Sequence, residues 1–453
     1  MLLRDYVNYL ETKIYHTRGL RFFMNYLKKM NPGRFIALGF ATVILIGTLL
    51  LYLPFTQREG VDVAFMDALF TSTSAVCVTG LIAIDTYDTY NVIGQTIVAL
   101  LIQIGGLGVT SVGVGFILLA RKKVDFKDRI LLKEALNLDS VKGVVKLVKS
   151  VLLMTLCFEG IGAILSFIVY SQDYPLPRAI GISLFHTVAS FNNAGFDNLG
   201  GLKNLLDYED NVLLNLTTCG LIIFGGLGFI VIKELINKRN LRKCSLHTKV
   251  VITMTMILLV AGTILIKLTE DITWLGAFFF STSARTAGFS TFPVGSFSTA
   301  TLFVIIILMF IGASPGSTGG GIKTTTAFTL FKSAYSVSTN KYCCGFKRRI
   351  PSEVISKAFM LSFLSMSVVC FNTLIITIME PQYSFMQILF EVVSAFGTVG
   401  LSTGITPDLR TGSEFVIILT MYIGRVGPLT IASLWSFKEM SNVRYSEEPL
   451  TIG

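Results

Sequence analysis

The sequence predicts an all-α integral membrane protein that is built from four repeats of one unit. Only 15% of its 453 residues are charged, while 52% are hydrophobic, and ordinary soluble domains carry about 25% charged residues. Long apolar segments also alternate with short apolar stretches that resemble one another. These observations predict that each unit contains a helix, a short re-entrant helix with a loop, and a second helix.

Several apolar segments are long enough to cross a bilayer. Segments 35–54 and 151–170 are examples, because about 20 apolar residues in a helix span a hydrocarbon core of roughly 30 Å. The predicted units are repeat A (35–120), repeat B (147–237), repeat C (248–332) and repeat D (354–438). Residues 1–34 are basic and lack an apolar signal core, so we predict a cytoplasmic lead-in there and a cytoplasmic tail over 439–453.

The positive charges indicate topology. The net charge is +10, and Lys and Arg gather in 121–149, 238–249 and 332–357. Excess basic residues in alternate loops follow the positive-inside rule, which places both termini in the cytoplasm. This distribution argues against a nucleic-acid partner. The seven cysteines are scattered and show no disulfide framework or zinc spacing.

The short apolar stretches share a pattern that ends in glycine. They read TSTSAVCVTGL, HTVASFNNAGF, FSTSARTAGF and EVVSAFGTVGL, and their glycines are Gly80, Gly195, Gly288 and Gly400. The span after each stretch has a glycine-rich centre, which reads IGGLG, FGGLG, IGASPGSTGGG and IGRVG in turn. Such ordered internal similarity is typical of transport proteins.

The four loops are expected to converge, because irregular backbone at membrane depth must be buried in protein or line a watery cavity. This predicts eight transmembrane helices plus four short pore helices around a pseudo-fourfold central pore. The partly negative C-terminal ends of the short helices favour a cation there, and carbonyl oxygens select a weakly hydrated monovalent one. The predicted filter residues are Cys77, Val78, Thr79, Gly80, Asn192, Asn193, Ala194, Gly195, Arg285, Thr286, Ala287, Gly288, Gly397, Thr398, Val399 and Gly400.

The glycine-rich segment 312–321 looks at first like a phosphate-binding loop. In a phosphate-binding loop Lys follows the last Gly directly, whereas in this chain Ile322 stands before Lys323, and the segment interrupts an apolar span. A nucleotide site is therefore not expected. A passive kink in a long helix is one interpretation, and a flexible, hydrogen-bonding plug is the other.

Charges inside the membrane are costly and are candidates for function. We predict that Arg285 points away from the axis and pairs with Glu391 to brace the filter, and that Glu159 is a packing partner rather than an ion ligand. Acids that follow the filter loops would concentrate cations at the mouth; they are Asp85, Asp88, Asp197 and Asp408.

Together, the four filter segments, the Gly-Gly repeats, the interruption of the third unit and Arg425 resemble the Ktr/Trk/HKT superfamily of potassium transporters, most closely the membrane subunit of bacterial Ktr systems. The resemblance runs from about residue 35 to the C-terminus. It implies sodium-stimulated, potassium-selective uptake through a channel-like pore in the bacterial cell membrane. Relatives with Ser at the position of Gly80 tend to pass sodium. A sodium or unselective monovalent cation transporter remains the alternative.

The resemblance also implies a gate and partners. The gate would consist of Arg425, as a positive barrier, and a loop beneath the filter formed by Gly312, Ala313, Ser314, Pro315, Gly316, Ser317, Thr318, Gly319, Gly320 and Gly321. The implied partners are a second copy of the chain, membrane lipid and a cytosolic, nucleotide-binding ring of the RCK type that docks on the basic loops. No covalent cofactor is expected; potassium would lie at the filter carbonyls, with sodium as an activating ion. No catalytic constellation is present in the sequence, so we predict a transporter and not an enzyme.

Overall fold

Four copies of one helical unit follow one another along the chain. The computed structural model describes residues 32–119, 124, 126–135, 141–433 and 448. Most of the predicted lead-in (1–34), nearly all of the predicted tail (439–453) and parts of the basic segment 121–149 lie outside the described residues.

The first half of the chain forms repeats A and B, each of which begins with a long helix. Repeat A contains α1 (Pro32–Tyr52), α2 (Phe65–Cys77), α3 (Thr86–Thr89), α4 (Val92–Leu107) and α5 (Val109–Leu119), and α6 (Phe126–Ala135) follows it. Repeat B contains α7 (Val144–Asp173), α8 (Leu176–Phe191), α9 (Val212–Leu227) and α10 (Phe229–Lys238). Short 3-10 turns lie at Pro54–Thr56, Leu206–Tyr208 and Leu241–Lys243.

The second half repeats the same order. Repeat C contains α11 (Leu246–Thr269), α12 (Trp274–Ser283), α13 (Thr299–Phe310) and α14 (Thr324–Ser338), and repeat D contains α15 (Ser352–Met379), α16 (Phe385–Gly397), α17 (Thr411–Val426) and α18 (Pro428–Ser433). Between them lies an antiparallel hairpin of β1 (Cys344–Gly345) and β2 (Arg348–Arg349). Further 3-10 turns lie at Val294–Ser296 and Thr406–Asp408.

The first helix of each repeat, namely α1, α7, α11 or α15, is long and apolar enough to cross a membrane. The helices that follow the re-entrant loops of repeats A and B are sharply bent. The pair α4 and α5 bends by 100° and the pair α9 and α10 by 94°. The breaks lie at Gly108 and Gly228, whose φ values are 84° and 91°, and Gly427 occupies the equivalent place between α17 and α18 with φ 94°. Left-handed φ angles favour glycine, which explains the last glycine of the IGGLG, FGGLG and IGRVG motifs.

The short re-entrant helices, namely α2, α8, α12 and α16, begin and end at residues that favour helix termini in several repeats. Thr273 caps α12 by accepting from the Gly276 amide, and Ser384 forms a capping box with Gln387 at the start of α16. At the other end, α2 stops at Val78 and α16 at Thr398, both in the left-handed conformation that commonly terminates helices. These helices therefore end where the glycine-containing loops begin.

The repeats close into a ring. The helix that follows each re-entrant loop packs against the re-entrant helix of the next repeat, since α4 contacts α8, α9 contacts α12, and α13 contacts α16. The last contact, between α17 and α2, joins repeat D to repeat A. The predicted arrangement of four helix-loop-helix units about one axis is therefore confirmed.

Candidate functional site

Four glycines, one from each repeat, face one another at the centre of the ring. A Cβ built on Gly80 would lie 3.0 Å from Cα of Gly195, one on Gly195 would lie 3.0 Å from Cα of Gly288, and one on Gly288 would lie 3.0 Å from Cα of Gly400. A Cβ on Gly400 would lie 2.8 Å from Cα of Gly80, which closes the circle. Each added Cβ would also crowd the carbonyl oxygen before the next glycine. The four predicted filter segments thus meet around a single axis.

The residue two places before each glycine has the same unusual backbone. Val78, Asn193, Thr286 and Thr398 have φ values of 57°, 59°, 72° and 50°. Non-glycine residues rarely adopt positive φ, so four equivalent cases indicate one shared loop conformation. The conformation reverses the chain directly after each re-entrant helix and returns it toward the axis.

Hydrogen bonds to the preceding re-entrant helices hold two of the loops, and some side-chain oxygens of the loops are unpaired. The amides of Gly80 and Gly400 donate to the hydroxyls of Ser74 and Ser394, each at 3.0 Å. In contrast, the side-chain oxygens of Thr79, Asn193 and Thr398 are buried and find no hydrogen-bond partner among the described residues. Buried polar atoms are normally satisfied; of these oxygens, that of Asn193 lies against Gly225 of α9 and that of Thr398 against Gly320.

One filter carbonyl has a side-chain partner that the sequence did not reveal. The Asn204 amide donates to the Gly195 carbonyl oxygen at 3.2 Å, and its own oxygen accepts from the Ser290 amide at 3.0 Å. Asn204 therefore connects the loops of repeats B and C. Repeat B is further supported because the Asn192 amide donates to Gln103 at 2.7 Å and to Glu159 at 3.3 Å. This agrees with the packing role expected for Glu159.

In repeats A, B and D, a glycine near the end of the helix after the re-entrant loop lies against the last turn of a re-entrant helix. A Cβ on Gly105, Gly225 or Gly424 would overlap with the carbonyl oxygen of Val76, Phe191 or Phe396, respectively. These carbonyls lie in the last turn of α2, α8 and α16, so the three glycines occupy equivalent positions. They permit a close approach that no side chain would allow.

Gly424→Ala is expected to lower stability. The added methyl group would meet backbone at Phe396, which cannot move aside as a side chain can, and overpacking of this kind costs about 1–3 kcal/mol. The apparent midpoint of thermal unfolding in detergent measures the effect. Gly220→Ala is the matched control, because a Cβ at Gly220 of α9 meets nothing within 4 Å. An equal midpoint for both variants would contradict the packing role.

The segment 312–321 lies directly against the filter loops. A Cβ on Gly319 or Gly320 would overlap with the hydroxyl of Thr286 or Thr398, respectively. The segment also bonds to repeat B, since the Ser314 amide donates to the Gly226 carbonyl at 3.1 Å and the Phe229 amide to the Gly316 carbonyl at 3.1 Å. The span of repeat C is therefore interrupted on the axis, between α13 and α14.

Two cations hold this loop. Arg425 donates to the carbonyl oxygens of Thr318 and Gly105, and the Lys323 ammonium donates to those of Gly319 at 2.7 Å and Gly320 at 3.1 Å. Three consecutive carbonyls of the loop thus accept charged hydrogen bonds, which are stronger than neutral ones. Lys323 was missed as a site residue, although a cation two residues after the glycine run was a signal.

A cavity of about 450 Å³ lies against the other side of the loop. Gly316, Ser317, Gly319 and Gly321 line it, while none of the four filter glycines does. Lys323, Lys357 and Arg425 also contribute to the lining. The loop thus separates the filter from a positively charged cavity.

The predicted pair between Arg285 and Glu391 is wrong. Arg285 is buried and donates to the Thr255 hydroxyl of α11 at 3.4 Å, so it points outward from the axis as expected but toward its own repeat. Glu391 instead accepts from the Ser402 hydroxyl at 2.7 Å and the Thr403 amide at 2.8 Å. The returning loop of repeat D supplies several donors to both oxygens of this carboxylate, so Glu391 has hydrogen-bond partners without Arg285.

Glu391→Leu is expected to destabilise the return loop of repeat D. Ser402, Thr403 and Thr406 all donate to the carboxylate, and each buried donor left without a partner costs about 1–3 kcal/mol. Thermal unfolding in detergent again measures the effect. Glu391→Gln is the matched control because its amide oxygen still accepts; a leucine variant as stable as the glutamine variant would show that these bonds contribute nothing.

Three of the acids that follow the filter loops, namely Asp85, Asp88 and Asp197, accept hydrogen bonds from backbone amides. Oxygens of Asp85 and Asp88 accept from the amides of Leu202 and Gly201, each at 2.8 Å. Asp197, in the loop beyond the re-entrant helix, is buried and accepts from Leu199. Burial raises the pKa of Asp197 to about 7, and hydrogen bonds from the backbone oppose this rise. The first two acids therefore join the outer loops of repeats A and B.

This arrangement defines a class, namely a membrane transport protein in which four re-entrant loops of one chain surround an axis. The family model described as TrkH, cation transport protein, matches residues 33–270 and 246–444. The chain belongs to this family, which confirms that it is a transport protein and not an enzyme.

Relatives extend over almost the whole chain. The potassium/sodium uptake protein NtpJ of Enterococcus hirae is 40% identical over 444 residues, which cover 94% of this chain and 98% of that protein. The Ktr system potassium uptake protein B of Bacillus subtilis is 37% identical over 439 residues, covering 94% and 97%. The crystal structure of the potassium transporter TrkH from Vibrio parahaemolyticus has a TM-score of 0.72 at 16% identity, covering 90% of this chain and 85% of that one. This last likeness shows the fold alone.

Proposed function

We propose that this protein mediates potassium uptake across the bacterial cell membrane through a channel-like pore on the axis of the four repeats. The observation that carries the proposal is the closed ring of Gly80, Gly195, Gly288 and Gly400. Glycine at all four positions lets the loops approach closely enough for backbone oxygens to surround an ion. Carbonyl oxygens in that arrangement replace the water of a weakly hydrated monovalent cation.

The membrane potential is the proposed source of energy. Moving one elementary charge through 100 mV contributes about 2.3 kcal/mol, so inward movement of a cation needs no chemical step on the protein. Sodium would act as a stimulating ion. The names of the Enterococcus and Bacillus relatives, which match most of the chain, both include potassium uptake, and this supports the choice of ion.

The loop 312–321 is proposed as the gate. It lies between the filter loops and the positively charged cavity, and Arg425 and Lys323 hold three of its carbonyls. With the loop in this position, a cation leaving the filter would meet both backbone and positive charge. Opening therefore requires that the loop move aside and that these hydrogen bonds break.

Control of the gate is proposed to come from a cytosolic, nucleotide-binding ring. The Bacillus relative is named as part of the Ktr system, which supports assembly with further subunits. The basic loops within 121–149 and 332–357 would face the cytoplasm with both termini, and they offer the docking surface. The protein would assemble as a homodimer with one pore in each subunit.

The alternative is a sodium or unselective monovalent cation transporter, and the potassium/sodium name of one relative keeps it open. Uptake of potassium and sodium into proteoliposomes that hold the purified chain, with an imposed inside-negative potential, tests the two functions. We expect potassium uptake well above that of sodium and above that of protein-free liposomes. Equal uptake of both ions would support the alternative, and no uptake of either would contradict transport by this chain alone.

A further inference from the structure

A second concave site lies away from the axis. It is a groove of about 830 Å³ between α5, α6 and the first turns of α7. Most of its lining is apolar, and the lining includes Leu118, Val124, Val141, Val144 and Val145. The groove belongs to none of the filter or gate elements, and the transport function does not account for it.

The rim of this groove is strongly basic. Arg129 of α6 and Lys146 and Lys149 of α7 line it and are exposed. Within the ranges that the structure describes, none of these three side chains forms an ion pair. Lys233 of α10 lies near enough to Lys146 for the two charges to interact. Among the described residues that line the groove, the rim therefore carries three positive charges and no acid.

The position of the groove fits the membrane boundary. Lys146 and Lys149 occupy the first two turns of α7, and the apolar part of that helix begins directly after them. Phe126, at the start of α6, is 70% exposed beside the groove. An exposed aromatic ring together with cationic side chains is typical of the interface between headgroups and acyl chains.

We propose that this groove binds an anionic phospholipid, with the phosphate at Arg129, Lys146 and Lys149 and an acyl chain along the apolar lining. Charge complementarity favours an anionic headgroup, since basic pockets at the cytoplasmic side of helix bundles hold such lipids. The apolar lining favours a lipid over the regulatory ring, although both would reach this basic face. The bound lipid would join α5 and α6 to α7.

Native mass spectrometry of the purified full chain, titrated with phosphatidylglycerol or phosphatidylcholine, tests the proposal without reference to transport. We expect preferential binding of phosphatidylglycerol. Binding is expected to weaken on the order of 100-fold in a variant that combines Arg129→Gln, Lys146→Gln and Lys149→Gln, because each cation near an anionic surface contributes about fivefold. Lys149→Gln alone should weaken it about fivefold and serves if the combined variant does not fold.

The matched control combines Lys341→Gln, Lys347→Gln and Arg348→Gln, which removes the same charge from exposed positions near the hairpin. This control should bind phosphatidylglycerol as the wild type does. Equal affinity for both lipids, or equal loss in both combined variants, would overturn the proposal. So would unchanged lipid binding in the groove variant accompanied by lost binding of a cytosolic protein, which would assign the groove to that partner.

Discussion

Gly80→Ser is expected to abolish the preference for potassium over sodium. The serine Cβ would overlap with the Ala194 carbonyl oxygen and lie 3.0 Å from Cα of Gly195, and the φ of 92° at this position is unfavourable for any side chain. The neighbouring loop must therefore shift, which changes the spacing of the oxygens around the ion. Selectivity depends on that spacing or on the number of coordinating oxygens, and the substitution disturbs both.

The ratio of potassium to sodium uptake in proteoliposomes measures this effect. We expect the ratio to fall at least tenfold, toward one, because a loss of about 1.4 kcal/mol in discrimination already gives that factor. Gly220→Ser is the matched control, since a Cβ there meets nothing within 4 Å. A Gly80→Ser protein with the selectivity of the control would show that this ring is not the filter.

Loss of the gate contacts is expected to raise uptake in the absence of any regulatory partner. Deletion of residues 317–320 removes the three loop carbonyls to which Arg425 and Lys323 donate, while the bond of Arg425 to Gly105 remains. Lys323→Gln is the milder variant; a hydrogen bond that involves a charged group contributes about 1.5–3 kcal/mol, so the ratio of closed to open loop should fall roughly tenfold or more.

Uptake by the purified chain alone, measured beside the wild type, checks both variants. Lys341→Gln is the control for charge, because Lys341 is exposed and remote from the loop in sequence and contacts. Both gate variants are expected to exceed the wild type, with the deletion exceeding Lys323→Gln. Uptake that stays at the wild-type level in the deletion variant would mean that the loop is a passive break in the span.

The repeated glycines show which features of the fold the sequence predicts and which it does not. The fourfold unit and the convergence of its four loops follow from spacing, because backbone at membrane depth has few allowed solutions. The Gly-Gly motifs were visible as well, yet their close approach to Val76, Phe191 and Phe396 requires coordinates. The bends at Gly108 and Gly228 were also missed, since hydropathy reports the length of an apolar segment and not its direction.

Partners of buried polar groups were the least predictable feature. Arg285 and Glu391 have opposite charges, and a pair between them was a reasonable expectation; the structure satisfies Glu391 with hydroxyl and amide donors of its own loop instead. Gln103 contacts the filter residue Asn192 of the next repeat, and Asn204 joins Gly195 to Ser290 of repeat C; no local pattern marks either residue. Such contacts depend on how distant segments pack, which a single sequence does not encode in its periodicity.

Because one chain forms the whole ring, each of the four repeats can change in sequence without the others. In an assembly of four identical subunits every change appears four times, whereas in this chain a single codon alters one quarter and leaves three intact. In repeats A, B and D, the helix after the re-entrant loop breaks at a single glycine. Repeat C carries a loop of ten residues at the equivalent position. Under the proposed gating role, repeat C has diverged from the other three repeats to obstruct a passage that all four enclose, which strict fourfold symmetry would not allow.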